Sequence, residues 1–139
     1  MTRLCYRHQN VRYSAEISRA KEFIRENYAD SGISLHMVAA EVGFSPNHFS
    51  TVFSQETGQT FVEYLTAVRI EAAKHLLTNG NSRMSDIAFD VGYQDSHYFS
   101  YLFKKHTGMT PRDFRREAQG AEFRRASTAA GRKKGKIIS

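Results

Sequence analysis

Apolar residues in this chain recur three and four positions apart, and no segment alternates in the way a half-buried strand requires. Ile17, Ala20, Ile24 and Tyr28 mark a helix over about residues 14–28, behind a Ser14 cap and ahead of the breaker Asp30-Ser31-Gly32. Ser34 caps a second helix that turns Leu35, Val38, Ala39 and Val42 inward and stops at Gly43. Ser45-Pro46 is an N-cap followed by a first-turn proline, and it starts a helix to about Thr57 with the stripe Phe49, Val52 and Phe53. Thr60 and Glu63 form a capping-box pattern. They open the longest helix, about residues 61–78, whose apolar face holds Phe61, Tyr64, Leu65, Val68, Ala72, Ala73, Leu76 and Leu77. Asn79-Gly80-Asn81 closes it.

The pattern then restarts. A short helix over about 85–91 ends at Gly92. Asp95 caps another to His106 with the stripe Phe99, Leu102 and Phe103, and Thr110-Pro111 opens a last short helix ending near Ala118. Ala39, Val42 and Gly43 match Ala88, Val91 and Gly92 at an offset of 49. Phe49, Ser50, Phe53, Thr57, Gly58 and Thr60 match Phe99, Ser100, Phe103, Thr107, Gly108 and Thr110 at an offset of 50. The extra residue falls in the turn, where Ser45-Pro46 becomes Gln94-Asp95. The expected architecture is all-α, with about seven helices and two helix-turn-helix units (about 34–58 and 84–108) joined by a long linker helix. Residues 1–13 are expected to be an N-terminal extension, 14–119 the bipartite domain, and 120–139 a basic mobile tail.

Once the phenylalanines are buried, the outer face of the first unit is Asn47, Ser50, Thr51, Ser54 and Gln55. That of the second is Ser96, His97, Ser100, Tyr101 and Lys104. Both are rich in hydrogen-bonding groups and poor in acids, which suits base edges in a major groove. On a single helix such a face is usually just solvated; on two helix-turn-helix units the balance reverses. A connecting helix of about 18 residues would be about 27 Å long. With its turns it could hold the outer faces about one DNA turn, roughly 34 Å, apart.

Charge adds little. The net charge is +6, but residues 1–13 carry +3 and residues 120–139 carry +5, which leaves −2 for the helical part. The tail cations Arg132, Lys133, Lys134 and Lys136 are equally compatible with a phosphate-touching arm and a solvating tail. No apolar run approaches the roughly 18 residues of a membrane span. With Cys5 the only cysteine there is no intrachain disulfide. These features suit the cytoplasm.

Residues 87–115 carry a long signature: Ile87, Ala88, Val91, Gly92, Tyr93, Asp95, Tyr98, Phe99, Ser100, Phe103, Lys104, Lys105, Gly108, Thr110, Pro111, Phe114 and Arg115. In it, and in the linker segment from Arg69 to Leu77, the chain resembles the AraC/XylS-type transcription regulators over about residues 15–118. The resemblance implies a bipartite helix-turn-helix domain that binds double-stranded promoter DNA and activates transcription by contacting RNA polymerase. It places base contacts at Asn47, Ser50, Thr51, Ser96, His97, Ser100 and Tyr101. It places phosphate contacts at Ser45, Gln55, Arg69, Asp95, Lys104, Lys105, Thr110 and Arg112. Where the family often has Arg after the Phe-Ser pair, this chain has Thr51 and Tyr101, so the bidentate guanine contact of an Arg is missing at both places. Ser54-Gln55 stands where the second unit has Lys104-Lys105, so weaker phosphate clamping is expected from the first unit.

Most members of that family carry a sensor domain, either a sugar-binding module or a phosphorylated receiver. The stretch SAEISRAKEFIRENYADSGISL resembles regulators that follow a receiver domain, so the expectation tilts from a stand-alone regulator towards the DNA-binding piece of a longer one. No cofactor or metal is expected: the six histidines have no metal-ligand spacing, and no base or proline-cysteine motif supports Cys5 as a reactive thiol. The expectation is therefore not an enzyme. The rival is a helical protein-interaction module without DNA specificity, for which Tyr101 is the one fitting residue.

Overall fold

The computed structural model describes the backbone of residues 2–130 and the side chains of residues 13–120. The basic cluster from Arg132 to Lys136 lies outside the described residues, and the Cys5 side chain outside the described side chains. Seven helices and no strand make up the described residues: α1 (Thr2–Asn27), α2 (Leu35–Glu41), α3 (Pro46–Thr57), α4 (Phe61–Asn79), α5 (Met84–Asp90), α6 (Ser96–Thr107) and α7 (Pro111–Ala130). They fall into two compact units, residues 1–69 and 70–139.

Two ends depart from the sequence expectation. Helix α1 passes through Ser14, which is therefore not a cap; residues 2–13 hold neither Gly nor Pro to stop it. Helix α7 continues past Ala118 to Ala130. Residues 119–130 are mostly Ala, Glu, Gln and Arg, strong helix formers, and the lone Gly120 costs only about 1 kcal/mol.

In the first unit Ile17, Ala20 and Ile24 of α1 pack with Val38, Ala39, Phe49, Val52, Phe53, Tyr64 and Leu65 in one core. In the second, Ala73, Leu77, Ile87, Ala88, Val91, Phe99 and Phe103 are buried. Leu76, expected inward, is 37% exposed, because the second half of α4 buries only the narrower row of Ile70, Ala73 and Leu77.

The two units repeat down to single hydrogen bonds. Helix α2 ends in a 6→1 bond from the Phe44 N–H to the Ala39 carbonyl (2.9 Å) around Gly43, and α5 in the matching bond from Tyr93 to Ala88 (2.8 Å) around Gly92. Both glycines are left-handed (φ 76° and 107°), and an L-residue there costs roughly 1–2 kcal/mol. At the far end, Thr57 Oγ1 lies 2.7 Å from the Phe53 carbonyl and accepts from the Gln59 N–H (3.1 Å). Thr107 repeats this with Phe103 (2.8 Å) and Met109 (3.2 Å).

The repeat also extends past Thr60 and Thr110, where residue identity ends. Phe53 meets Tyr64 edge-on at 5.5 Å, and Phe103 meets Phe114 edge-on at 5.4 Å. Arg69 donates to the Tyr28 and Asp30 carbonyls, and Gln119, fifty positions on, donates to those of Leu77 and Gly80. Each clip satisfies the end of one helix and the turn that follows it.

Phe53 and Phe103 are completely buried. Replacing either with Ala is expected to lower the unfolding free energy by about 3–5 kcal/mol in urea titrations. Phe89→Ala, at a 69% exposed site, is expected to change it by no more than about 0.5 kcal/mol.

Candidate nucleic-acid interface

Helices α3 and α6 are each pinned by two phenylalanines one turn apart, Phe49 with Phe53 and Phe99 with Phe103, all four fully buried. A residue midway between such a pair stands two positions from each, about 200° round the helix. Thr51 and Tyr101 occupy those midpoints, so they form the apex of each outward face. Both are exposed. Asn47, Ser50 and Gln55 surround Thr51 and are exposed; Ser54 is half-buried. Around Tyr101 lie His97, Lys104 and Lys105, all exposed, and the half-buried Ser96 and Ser100.

No acidic residue interrupts either face. Glu56, the only one on α3, sits two turns on from Phe49 and so on the core side, where desolvation raises its pKa. Helix α6 has none between Ser96 and Thr107, and ends on Lys104, Lys105 and His106, cations that suit the negative end of its dipole.

The helix tips differ in charge. Ser45 Oγ accepts from the His48 N–H at 3.2 Å, and its own O–H stays available to an anion. Asp95 Oδ1 accepts from the N–H groups of His97 (2.9 Å) and Tyr98 (3.4 Å). Thr110 Oγ1 caps α7 through the Asp113 N–H (3.1 Å), and Arg112 is exposed beside it.

Two of the residues expected to touch phosphate are engaged inside the protein instead. Asp95 spends its carboxylate on the amides a phosphate would use, and like charge would oppose a phosphate there. Arg69 is 7% exposed; its Nε donates to the Tyr28 carbonyl (2.8 Å) and its Nη2 to that of Asp30 (3.0 Å). It is a buried clip that holds α4 to the turn after α1. Ser45, Gln55, Lys104, Lys105, Thr110 and Arg112 remain on or beside the surface as candidates.

One surface residue escaped the sequence reading. Tyr98 is 52% exposed and its ring stacks on that of Tyr101 (centroids 6.4 Å, 21°). The spacing of 98 and 101, three apart on one helix, could have revealed the pair.

A family model described as a helix-turn-helix domain matches residues 38–117. The chain belongs to the AraC-type helix-turn-helix family. It is 39% identical over 111 residues to the transcriptional regulatory protein YesN of Bacillus subtilis (strain 168), which covers 78% of this chain and 30% of that one. Among solved structures, the C-terminal domain of AraT, a response regulator from Geobacillus stearothermophilus, is 36% identical with a TM-score of 0.71 (73% of this chain, 84% of that one). The C-terminal domain of the two-component response regulator yesN from Fusobacterium nucleatum is 33% identical with a TM-score of 0.67 (69% and 93%). The chain spans less than half the length of the curated relatives it matches.

Arg69→Ala is expected to cost about 1.5–3 kcal/mol of stability through its lost charged hydrogen bonds. Arg69→Gln should recover part of that, since Gln119 performs the same task with an amide. If DNA affinity is titrated with salt, Lys104→Ala should reduce the slope of log K against log salt by about one and Arg69→Gln should leave it unchanged.

Proposed function

We propose that this chain is the sequence-specific DNA-binding part of a transcription regulator, an activator, which lays α3 and α6 into two successive major-groove segments of a promoter. The observation that carries the reading is the duplicated outward face. Two helices are rotated by the same pair of buried phenylalanines and begun from the same kind of capped turn. Each presents an acid-free surface of short polar side chains to the outside. Such faces read base edges by hydrogen bonds and apolar contacts, while flanking cations and hydroxyls hold phosphates.

In this reading Asn47, Ser50 and Thr51 face bases in one segment, and Ser96, His97, Ser100 and Tyr101 in the other. Lys104, Lys105, Gln55, Ser45, Thr110 and Arg112 touch the backbone. The molecule acts by binding in the bacterial cytoplasm and takes part in no catalysis. RNA polymerase is the expected partner once the DNA is bound. AraT and yesN are response regulators, which supports a receiver-type input domain upstream of the equivalent region in the whole regulator. Among the described residues no helix is long and apolar enough to cross a membrane, which agrees with this placement.

The exposed Tyr98–Tyr101 pair is the one observation that favours a protein-interaction module instead. Selection of bound duplexes from a random pool, followed by footprinting of the winners, decides between the two. The expected result is an enriched sequence with two protected segments about ten base pairs apart. Absence of enrichment at low salt would overturn the proposal. His97→Ala is expected to relax base preference in one half of the selected site, at about 1–3 kcal/mol against the wild-type sequence.

A further inference from the structure

A continuous chain of rings runs from the core of the second unit to the apex of its outward face. Phe103 packs on Phe99 (5.9 Å), Phe99 on Tyr93 (5.9 Å), Tyr93 edge-on to Tyr98 (6.0 Å) and Tyr98 stacked on Tyr101 (6.4 Å). Exposure rises along it: the phenylalanines are fully buried, Tyr93 is 7% exposed, Tyr98 52% and Tyr101 59%. Lys105 Nζ lies 5.9 Å from the Tyr101 ring centroid. Tyr101 is therefore held by a stacked ring and a cation, and it stands farthest from the core. An exposed aromatic pair so placed loses little freedom when it meets a surface, and clustered exposed rings mark contact sites.

The first unit is built otherwise. The positions fifty residues earlier are His48 and Thr51. His48 packs on Phe44 (4.5 Å) and Tyr13 (5.6 Å), so the ring chain there stops short of the apex. The aromatic apex belongs to α6 alone.

In the major groove only thymine places a methyl group beside a carbonyl acceptor; guanine offers two acceptors and no apolar group. A tyrosine has the complementary pair, an apolar ring and one O–H donor, and lacks the twin donors that fit guanine. We propose that Tyr101 selects thymine through its 5-methyl group, with Tyr98 as a positioning residue that fixes the Tyr101 ring. This rests on the DNA-reading function proposed above, and it names the base that the second unit prefers.

The test uses the full chain and the operator obtained by selection. Deoxyuridine, which differs from thymidine only by the missing methyl, replaces each thymine in turn. At one or two positions the dissociation constant is expected to rise roughly fourfold, the value of one buried methyl group. Tyr101→Ser should bind the thymine site no more tightly than that weakened level and be indifferent to deoxyuridine. Tyr98→Ala should shrink the deoxyuridine effect, and Tyr98→Phe, which keeps the ring, should restore it, each variant being checked for an unchanged helical circular-dichroism spectrum.

An operator that is selected cleanly but tolerates deoxyuridine at every thymine would overturn this inference and leave the DNA-reading function standing. Failure to select any operator would remove both. Unaltered selection by Tyr98→Ala and Tyr101→Ala would also overturn it, and would assign the ring pair to a protein contact.

Discussion

Everything on the outward faces follows from the rotation of two short helices, and that rotation is set by four buried rings. A helix of twelve residues has no means of its own to decide which side faces out. Burying Phe49 with Phe53, and Phe99 with Phe103, decides it, because aromatic residues one turn apart define a line along the helix and the opposite line must meet solvent. A slip of one residue would turn each face by about 100° and present a different set of side chains. The turns before these helices act in the same sense. The bonds from Phe44 to Ala39 and from Tyr93 to Ala88 fix where each preceding helix stops, and so where the next one starts.

The duplicated frame leaves each unit free to differ on its surface. The frame residues keep their identity or their shape, as Tyr64 and Phe114 do against their phenylalanines. Apart from Ser50 and Ser100, the outward residues do not: Thr51 faces out where Tyr101 does, and Gln55 where Lys105 does. The first unit presents small neutral hydrogen-bonding groups, and the second adds two cations and an aromatic pair.

Much of this was legible in the sequence because the signals were local. Caps at Ser34, Ser45 and Asp95, the Thr60–Glu63 box and the phenylalanine stripes each involve residues within one or two turns, and the structure places them as the spacing requires. What was missed depends on residues far apart or on the absence of a stop. The partners of Arg69 are 41 and 39 positions away, so an arginine typical of a DNA-binding segment read as a phosphate contact when it is a buried clip. Asp95 was correctly placed as a cap, yet a cap that is itself an anion opposes a phosphate at the same amides, which the neutral caps Ser45 and Thr110 do not. Ser14 and Gly120 read as boundaries, but neither residue outweighs the helix-forming stretch around it.

The unequal caps also set the two helix starts apart. The start of a helix gathers unpaired amides and the positive end of its dipole, so it draws negative charge. At α6 that demand is already met from within, by the carboxylate of Asp95, while at α3 it is met only by the neutral hydroxyl of Ser45. Added salt would therefore find an uncompensated tip on α3 and a compensated one on α6. A scaffold written twice is left with two helix starts that respond differently to the ions around them.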